Sequence, residues 1–175
     1  MKRLKIASLL VLCWSLLLTA CNTATPENYF DRAVLNTNLF NDFASEQFTR
    51  MLVAYTVKYE GVKQQDVSAT KMVEMKVLSI DKALQDVKAL KETAETKDML
   101  QTSIALHEYV LPVYKNEYKD LAKLCDSGAS KEEIAAKGQE IDAKYGKQFE
   151  ELQEKLTALG KVYANAHNIK VTWGH

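Results

Sequence analysis

Cysteine and histidine are the residue types in this sequence whose positions point most directly to chemistry. Cys21 directly follows a long apolar run, with the small residues Thr19 and Ala20 before it. Small neighbours leave the backbone open to a peptidase, and a cysteine thiolate is a nucleophile that can take up an acyl or diacylglyceryl group. His107 occupies a position on the apolar stripe of a predicted helix. These positions point to two kinds of chemistry, lipidation at Cys21 and ligand binding at His107.

The N-terminal segment has the composition of an export signal. Lys2, Arg3 and Lys5 give it a positive start, and an apolar run follows over residues 6–18. This run is too short to cross a bilayer, which takes about 20 apolar residues. The sequence therefore predicts a signal peptide over residues 1–20. An ordinary secretory peptide and an uncleaved anchor helix are the alternatives.

The end of this segment reads Leu18-Thr19-Ala20-Cys21, a branched apolar residue followed by two small residues and a cysteine. It resembles the lipobox of bacterial lipoproteins. The resemblance implies that Cys21 becomes the first residue of the mature chain, carrying diacylglycerol on its sulfur and an acyl group such as palmitate on its amine. Each buried methylene contributes about 0.8 kcal/mol, so several acyl chains hold a protein firmly in a membrane. Residues 21–25 then form the lipidated end and a short polar tether, and the membrane is the predicted partner.

The residues after Cys21 bear on its location. Asn22 differs from the aspartate that resembles an inner-membrane retention signal of enterobacteria, and no acidic run resembling a surface-export signal of Bacteroidota follows it. We expect a lipid-anchored protein of the cell envelope at the outer membrane. The periplasmic face is favoured, and display at the cell surface stays open.

Composition limits the remaining function classes. Loss of residues 1–20 leaves about 155 residues, the length of one domain, and turns the formal net charge from zero to about −3 because three positive residues leave. Mixed charge without a basic patch argues against nucleic-acid binding. Cys125 is then the only cysteine besides Cys21, so we expect no internal disulfide. Its place on an apolar stripe predicts a buried thiol, with a reactive thiol as the alternative.

Apolar residues recur at steps of three and four over four long stretches, which is the period of an α-helix. The stretches run from Pro26 to Gly61, from Asp66 or Ser68 to Leu90, from Thr96 to Cys125 and from Ser130 to Ala166. Four amphipathic helices with short connections favour an all-α fold, an antiparallel up-down-up-down four-helix bundle over residues 26–167. Residues 168–175 form a short tail in which Ile169 and Val171 are expected to fold back onto the core.

Local signals mark where these helices begin, bend and end. The predicted caps and stops are Thr25, Ser68 or Asp66, Thr96, the capping box Ser130 to Glu133, and Gly128. Pro112 lies inside the third helix and should kink it without ending it, because the apolar stripe continues in phase beyond it. Gly138 falls on the stripe of the fourth helix, where close approach of another helix would offset its poor helix propensity.

The ligand spacings of common metal and haem sites in bundles are missing. Neither His107 nor His167 has a glutamate three residues earlier, as di-iron bundles require, and no Cys-x-x-Cys-His run is present. We therefore predict no cofactor. His107 is interpreted as a core histidine bonded to a tyrosine or glutamine of a neighbouring helix.

The alternative for His107 is a pocket in the bundle core. Tyr114 and Tyr118 lie on the same stripe and would line it together with His107. Such a pocket would hold a small ligand, a metal or a haem, for which Met51 or Met99 could supply a second ligand. Packing of the tyrosine rings in the core is the simpler interpretation.

Motifs of the common enzyme classes are missing as well. The chain has no nucleophile elbow, P-loop or dinucleotide fingerprint, and its paired carboxylates at Glu132-Glu133 and Glu150-Glu151 fall on exposed helical faces. Catalysis requires polar groups that converge in a concave site. We therefore expect a non-enzymatic binding or interaction module of the cell envelope, with a bundle holding a ligand, metal or haem in its core as the alternative.

Three short stretches resemble one known family. They are Leu18-Thr19-Ala20-Cys21, Asn28-Tyr29-Phe30-Asp31 and the closing run Tyr163 to Val171. With the overall layout, they resemble the small helical-bundle surface lipoproteins first recognised in Leptospira and widespread in Bacteroidota. Asn36-Thr37-Asn38 stands where that family has a glutamine-containing stretch. The resemblance implies a lipid-anchored helical bundle and brings no catalytic residues, because the family has no assigned activity.

Overall fold

The computed structural model describes residues 24–56 and 68–173, and every regular element in these ranges is helical, as the apolar spacing predicts. In chain order the elements are α1 (Pro26–Ala33), a 3-10 segment (Leu35–Phe40), α2 (Glu46–Ala54), α3 (Ala69–Lys88), α4 (Lys97–Val113), a π-helical turn (Tyr114–Tyr118), α5 (Lys119–Ser127) and α6 (Lys131–Ala166). Cys21 and the predicted helix end at Gly61 lie outside the described residues.

The first predicted helix is not continuous, so that prediction is wrong. The 3-10 segment and a turn separate α1 from α2. Short polar side chains compete with the helix for backbone hydrogen bonds in this stretch. The Thr37 hydroxyl donates to the Val34 carbonyl at 2.6 Å, and the Asn41 amide donates to the Asn38 side chain. The interruption turns Phe43 into the core, where 2% of its surface stays exposed.

The turn before α2 is held by a contact with a distant helix. Ala44 has a φ of 49°, in the left-handed region, and its N–H donates to the Tyr118 hydroxyl oxygen at 2.7 Å. This conformation costs a residue with a β-carbon about 1 kcal/mol. The turn therefore depends on a tertiary contact with Tyr118, which the residues around Ala44 do not predict.

The start of α3 is capped twice. The Ser68 hydroxyl accepts the Lys71 N–H at 3.1 Å, which confirms one of the two predicted caps. In addition, the Asp126 carboxylate near the end of α5 accepts the N–H groups of Ala69 and Thr70, both at 2.9 Å. Burial alone would raise the pKa of Asp126, but the hydrogen bonds from Thr70 and Ala69 hold it below its usual value. One carboxylate thus ties the end of α5 to the beginning of α3.

The third predicted helix passes through Pro112 without ending, as expected. A π-helical turn begins two residues after this proline, and α5 continues to Ser127. A proline removes one helical hydrogen bond, and local rewinding is a common response. Gly128 then ends α5 with a left-handed φ of 75°, as predicted. Thr96 does not cap α4, because its hydroxyl accepts the Thr93 N–H instead.

The fourth predicted helix is confirmed as α6. The Ser130 hydroxyl accepts the Glu133 N–H at 3.2 Å, and the Glu133 carboxylate accepts the Ser130 N–H at 3.0 Å, forming the expected capping box. The 36 residues of α6 correspond to a length of about 54 Å. Beyond it, Ile169, Val171 and Trp173 pack against the core, so the tail folds back as predicted.

Pairs of side chains join the long helices in a regular order. Between α3 and the α4–α5 helix they are Lys88–Glu108, Lys115–Asp81 and Lys119–Glu74. Between the α4–α5 helix and α6, Glu117 pairs with Lys137, and the Tyr109 hydroxyl donates to the backbone carbonyl of Tyr145. Residue numbers rise on one helix of each set as they fall on the other. Exposed ion pairs stabilise a fold by no more than about 1 kcal/mol each. These pairs therefore indicate how neighbouring helices are aligned more than they add stability.

Candidate functional site

His107 is fully buried in α4 and contacts its own helix. Its Nδ1 lies 2.8 Å from the Ser103 carbonyl oxygen, and the Phe40 ring meets the imidazole edge to face at 5.1 Å between centroids. Because a carbonyl only accepts, Nδ1 carries the hydrogen. The partner predicted for this histidine, a tyrosine or glutamine of another helix, is therefore wrong.

The other imidazole nitrogen of His107 has no hydrogen-bond partner among the described residues. Burial lowers the pKa of His107, and the bond to the Ser103 carbonyl opposes that effect only in part. The ring is consequently neutral near pH 7, with a buried acceptor nitrogen left open. An open acceptor in the core costs about 1–3 kcal/mol.

Tyr114 and Tyr118 lie at the two ends of the π-helical turn, and both are fully buried. Their ring centroids are 4.8 Å apart, and both rings pack against Phe48 of α2. Tyr114 also lines a cleft of about 330 Å³ between α3 and the turn. The two tyrosines are thus brought together, whereas the hydrogen bond and aromatic contact recorded for His107 involve Ser103 and Phe40.

A half-buried ion pair borders these tyrosines. Lys76 Nζ lies 2.7 Å from Asp42 Oδ1 and 5.0 Å from the centroid of the Phe48 ring. The Tyr114 hydroxyl donates to the same Asp42 oxygen at 3.4 Å. Burial and the nearby Asp42 carboxylate raise the pKa of Tyr114 well above its usual value. This phenol is therefore held protonated, in a structural polar cluster.

Metal ligands do not gather in the part of the chain that the structure describes. No group of three or more histidine, cysteine, aspartate or glutamate side chains there could hold a metal ion. Cys125 is buried, as predicted, and burial raises the pKa of its thiol to about 11. Within the same residues, no helix is both long enough and apolar enough to span a membrane.

A groove of about 360 Å³ lies between α2 and the first third of α6. We call it the α2/α6 groove. It is lined by Glu46, Thr49, Arg50 and Val53 of α2 and by Lys131, Ile134, Ala135, Gly138, Gln139 and Asp142 of α6. Small-molecule sites typically occupy about 300–1,000 Å³ and combine apolar walls with a few polar groups, and this groove has that character.

Gly138 lets the two helices approach closely along the groove. A β-carbon at position 138 would lie 2.4 Å from Thr49 Oγ1, which is far inside van der Waals contact. Thr49 retains 7% of its surface exposure, and its hydroxyl has no hydrogen-bond partner within the described ranges. The close helix approach expected at Gly138 is therefore confirmed, and it leaves a buried hydroxyl unpaired.

Asp142 supplies a second unpaired oxygen to the groove. Its Oδ1 is buried and has no partner among residues 24–56 and 68–173. Burial raises the pKa of Asp142, and the negative charge of Glu46 raises it further. The Asp142 charge in turn contributes to the raised pKa of Tyr118, after the larger effect of burial. This end of the groove is therefore acidic and short of hydrogen-bond donors.

Neither cation of the groove contributes to the pKa of that carboxylate. Arg50 forms an ion pair with Glu46, with 2.7 Å between Arg50 Nη2 and Glu46 Oε1. Lys131 begins α6, eleven residues before Asp142, a separation of about 16 Å along the helix. The groove is consequently polarised, with its uncompensated negative charge at the Asp142 end.

The groove residues were only partly visible in the sequence. Gly138 attracts notice as a glycine on an apolar stripe. Thr49 does not attract notice, because an unbroken spacing of three and four residues from Phe48 runs through Met51 and Tyr55. The interruption before α2 instead rotates the buried face onto Phe48, Thr49 and Leu52. Asp142 has the spacing of an ordinary exposed helical position.

Comparisons of the chain with protein families, with curated proteins and with solved structures give no match. The geometry of the described residues is therefore the basis on which a function can be assigned.

Proposed function

We propose that this chain is a lipid-anchored protein of the cell envelope whose helical domain binds a small ligand in the α2/α6 groove without catalysing a reaction. The observation that carries the binding proposal is the pair of buried oxygens, Thr49 Oγ1 and Asp142 Oδ1, which have no protein partner in the described residues and belong to side chains lining a groove of about 360 Å³. Buried polar atoms are nearly always paired. A ligand that supplies donors would pair these two.

The anchoring proposal rests on Cys21 and its lipobox-like context. Ala24 is three residues further on, and three residues of extended chain span about 10 Å at most. Ala24 shares a cleft with Leu90 and Lys91. A lipid on Cys21 would therefore hold this end of the domain next to the membrane, on the outer-membrane side of the envelope that we favour. The resemblance to the helical-bundle surface lipoproteins is part of this proposal.

The same end contains the last turn of α6. Glu95, four residues beyond Lys91, pairs with His167 at 2.7 Å. Asp142 lies 24 residues before Ala166, which corresponds to about 36 Å along the helix. In the proposed orientation, the α2/α6 groove therefore lies at the far end of the domain from the membrane.

We interpret the architecture as an antiparallel up-down-up-down four-helix bundle with an interrupted first helix. The opposed numbering of the side-chain pairs along α3, α4–α5 and α6 supports this arrangement. The first segment follows the same rule, since Val34 faces Gly160 and Thr49 faces Gly138. The interruption between α1 and α2 is then what opens the groove against α6.

A blocking substitution tests ligand binding. Ala135 lines the groove and is exposed, and its neighbour Ala136 is equally exposed but does not line it. Ligand-observed NMR would follow three probes of one shape: 1-naphthylmethylamine, 1-naphthalenemethanol and 1-naphthoate. We expect at least one probe to bind the lipidated protein in non-ionic detergent, to lose binding in Ala135→Trp and to keep it in Ala136→Trp. Absence of binding by all three, or equal loss in both variants, would contradict the proposal.

The open Nε2 of His107 favours a second candidate, a ligand, metal or haem held in the core with Tyr114 and Tyr118 nearby. The Phe40 ring and the hydrogen bond to Ser103 already occupy two sides of the imidazole. A Soret band or stoichiometric metal in the purified protein, lost in His107→Leu, would support this candidate. A colourless, metal-free protein would eliminate the metal and the haem.

A further inference from the structure

We propose that the ligand of the α2/α6 groove is an organic cation, a protonated amine or amidine on an apolar body, with the Asp142 carboxylate as its anionic partner. This inference rests on the proposed binding function of the groove and adds the chemical class of the ligand.

Hydrogen-bond demand is the first argument. An ionised carboxylate only accepts hydrogen bonds, and a hydroxyl oxygen can accept as well. Both unpaired oxygens, Asp142 Oδ1 and Thr49 Oγ1, can thus be satisfied by a group that only donates. Ammonium and amidinium groups carry donors and no acceptor. A carboxylate or phosphate ligand would instead add acceptors where donors are missing.

Charge is the second argument. Glu46 is the charged neighbour that raises the pKa of Asp142, after burial, and no cation of the described residues contributes. The groove cations are placed elsewhere, since Arg50 pairs with Glu46 and Lys131 lies about 16 Å away along α6. Asp142 is partly buried, and a partly buried charge without a counter-ion is disfavoured. A bound cation would supply that counter-ion, whereas an anion would meet repulsion from the Asp142 carboxylate.

The shape and lining of the groove define the rest of the ligand. Val53, Ile134 and Ala135 offer an apolar wall between the Lys131 end and the Asp142 end. Gly138 presents backbone without a side chain on the same face of α6. A flat or branched hydrocarbon of modest size fits beside these residues, with its charged group directed toward Asp142.

Isothermal titration calorimetry on the lipidated protein in non-ionic detergent tests this class. We expect 1-naphthylmethylamine to bind at least tenfold more tightly than 1-naphthalenemethanol, and 1-naphthoate to bind more weakly than either. Asp142→Asn should reduce the affinity for the amine tenfold or more. Glu150→Gln removes an exposed carboxylate from the same helix outside the groove, and it should leave the affinity unchanged.

The outcomes separate this inference from the binding function. If the alcohol or the naphthoate binds as tightly as the amine and is blocked by Ala135→Trp, the groove binds ligands but the cation assignment is wrong. An unchanged amine affinity in Asp142→Asn would also overturn the assignment. If none of the three probes binds, the binding function itself fails.

Discussion

Thr49 of α2 lies against Gly138 of α6 in the groove, where a β-carbon on residue 138 would fall 2.4 Å from Thr49 Oγ1 and 3.0 Å from Thr49 Cγ2. A branched side chain therefore fills the space that glycine leaves open. Helices usually favour alanine over glycine, but at position 138 alanine should lower the stability of the protein.

Gly138→Ala should lower the free energy of unfolding by about 1–2 kcal/mol, because overpacking costs more here than the helix propensity gains. Gly146→Ala is the matched control on the same helix, since its β-carbon would meet only Ala44 Cβ at an ordinary 3.7 Å. That control should gain up to about 1 kcal/mol. Urea denaturation measures both changes. In a Thr49→Ala background the cost of Gly138→Ala should shrink, because Oγ1 and Cγ2 are gone and only Cβ of residue 49 remains, at 3.2 Å. Equal effects at the two glycines would show that the contact does not matter.

Asp126→Ala should destabilise the protein by about 1–2 kcal/mol, because α3 loses the acceptor for two of its first N–H groups. Asp126→Asn keeps one acceptor oxygen and should cost less. The folded pKa of Asp126 lies below its usual value, so this stabilisation is present above about pH 4 and is lost as the pH falls through the folded pKa.

Asp120→Ala is the matched control for Asp126. Asp120 is exposed on the same helix, and its one ion pair among the described residues is with Lys123, three residues further on. Its removal should change the free energy of unfolding by less than about 0.5 kcal/mol. A comparable loss at both positions in urea denaturation would refute the double capping role of Asp126.

His107→Leu should make stability less dependent on pH in the acidic range. Burial lowers the folded pKa of His107, so the unfolded chain takes up this proton first as the pH falls below about 6.5. Wild-type stability should then fall by up to about 1.4 kcal/mol per pH unit from this group until the folded pKa is reached, and the leucine variant should lack that contribution.

The comparison of wild type and His107→Leu at about pH 7.5 and about pH 5.5 isolates this effect. His167→Gln, at a partly exposed histidine, serves as the control substitution. The leucine variant should also be at least as stable as wild type at neutral pH, since it removes the unpaired Nε2. Identical pH profiles for wild type and His107→Leu would mean that the buried imidazole takes up its proton as readily as it does in the unfolded chain.

Cys21→Ala should abolish incorporation of labelled palmitate and release the protein from the outer-membrane fraction, because the predicted acylation site is gone. Cys125→Ala is the control, since its buried thiol is not expected to carry lipid. Palmitate labelling and membrane fractionation measure the two effects. Retention of label in Cys21→Ala would refute the anchoring proposal.

The elements that follow from local signals were predictable. Thr25, Ser68 and the Ser130 to Glu133 pair each act on N–H groups within three residues, so their capping can be read from neighbouring positions. The course of the chain through Pro112 also follows from an apolar stripe that stays in phase.

The interruption before α2 was not predictable in the same way. Ala44 adopts a left-handed conformation that its type disfavours, and its N–H is satisfied by Tyr118, 74 residues away. The apolar spacing through Phe40 and Phe48 fits a continuous helix equally well. The interruption before α2 rotates the buried face of this helix. The burial of Thr49, and with it the α2 side of the candidate site, therefore could not be predicted from the apolar spacing.

The length of α6 gives the groove an electrostatic setting of its own. With the tether end at the bilayer, about 36 Å of helix lies between that end and Asp142, whereas charges in physiological salt are screened over about 8 Å. The surface potential of the lipid headgroups would thus be negligible at the groove. Changes in membrane lipid charge should therefore leave cation affinity unaltered, and the charge selectivity of the groove would be set by its own lining residues.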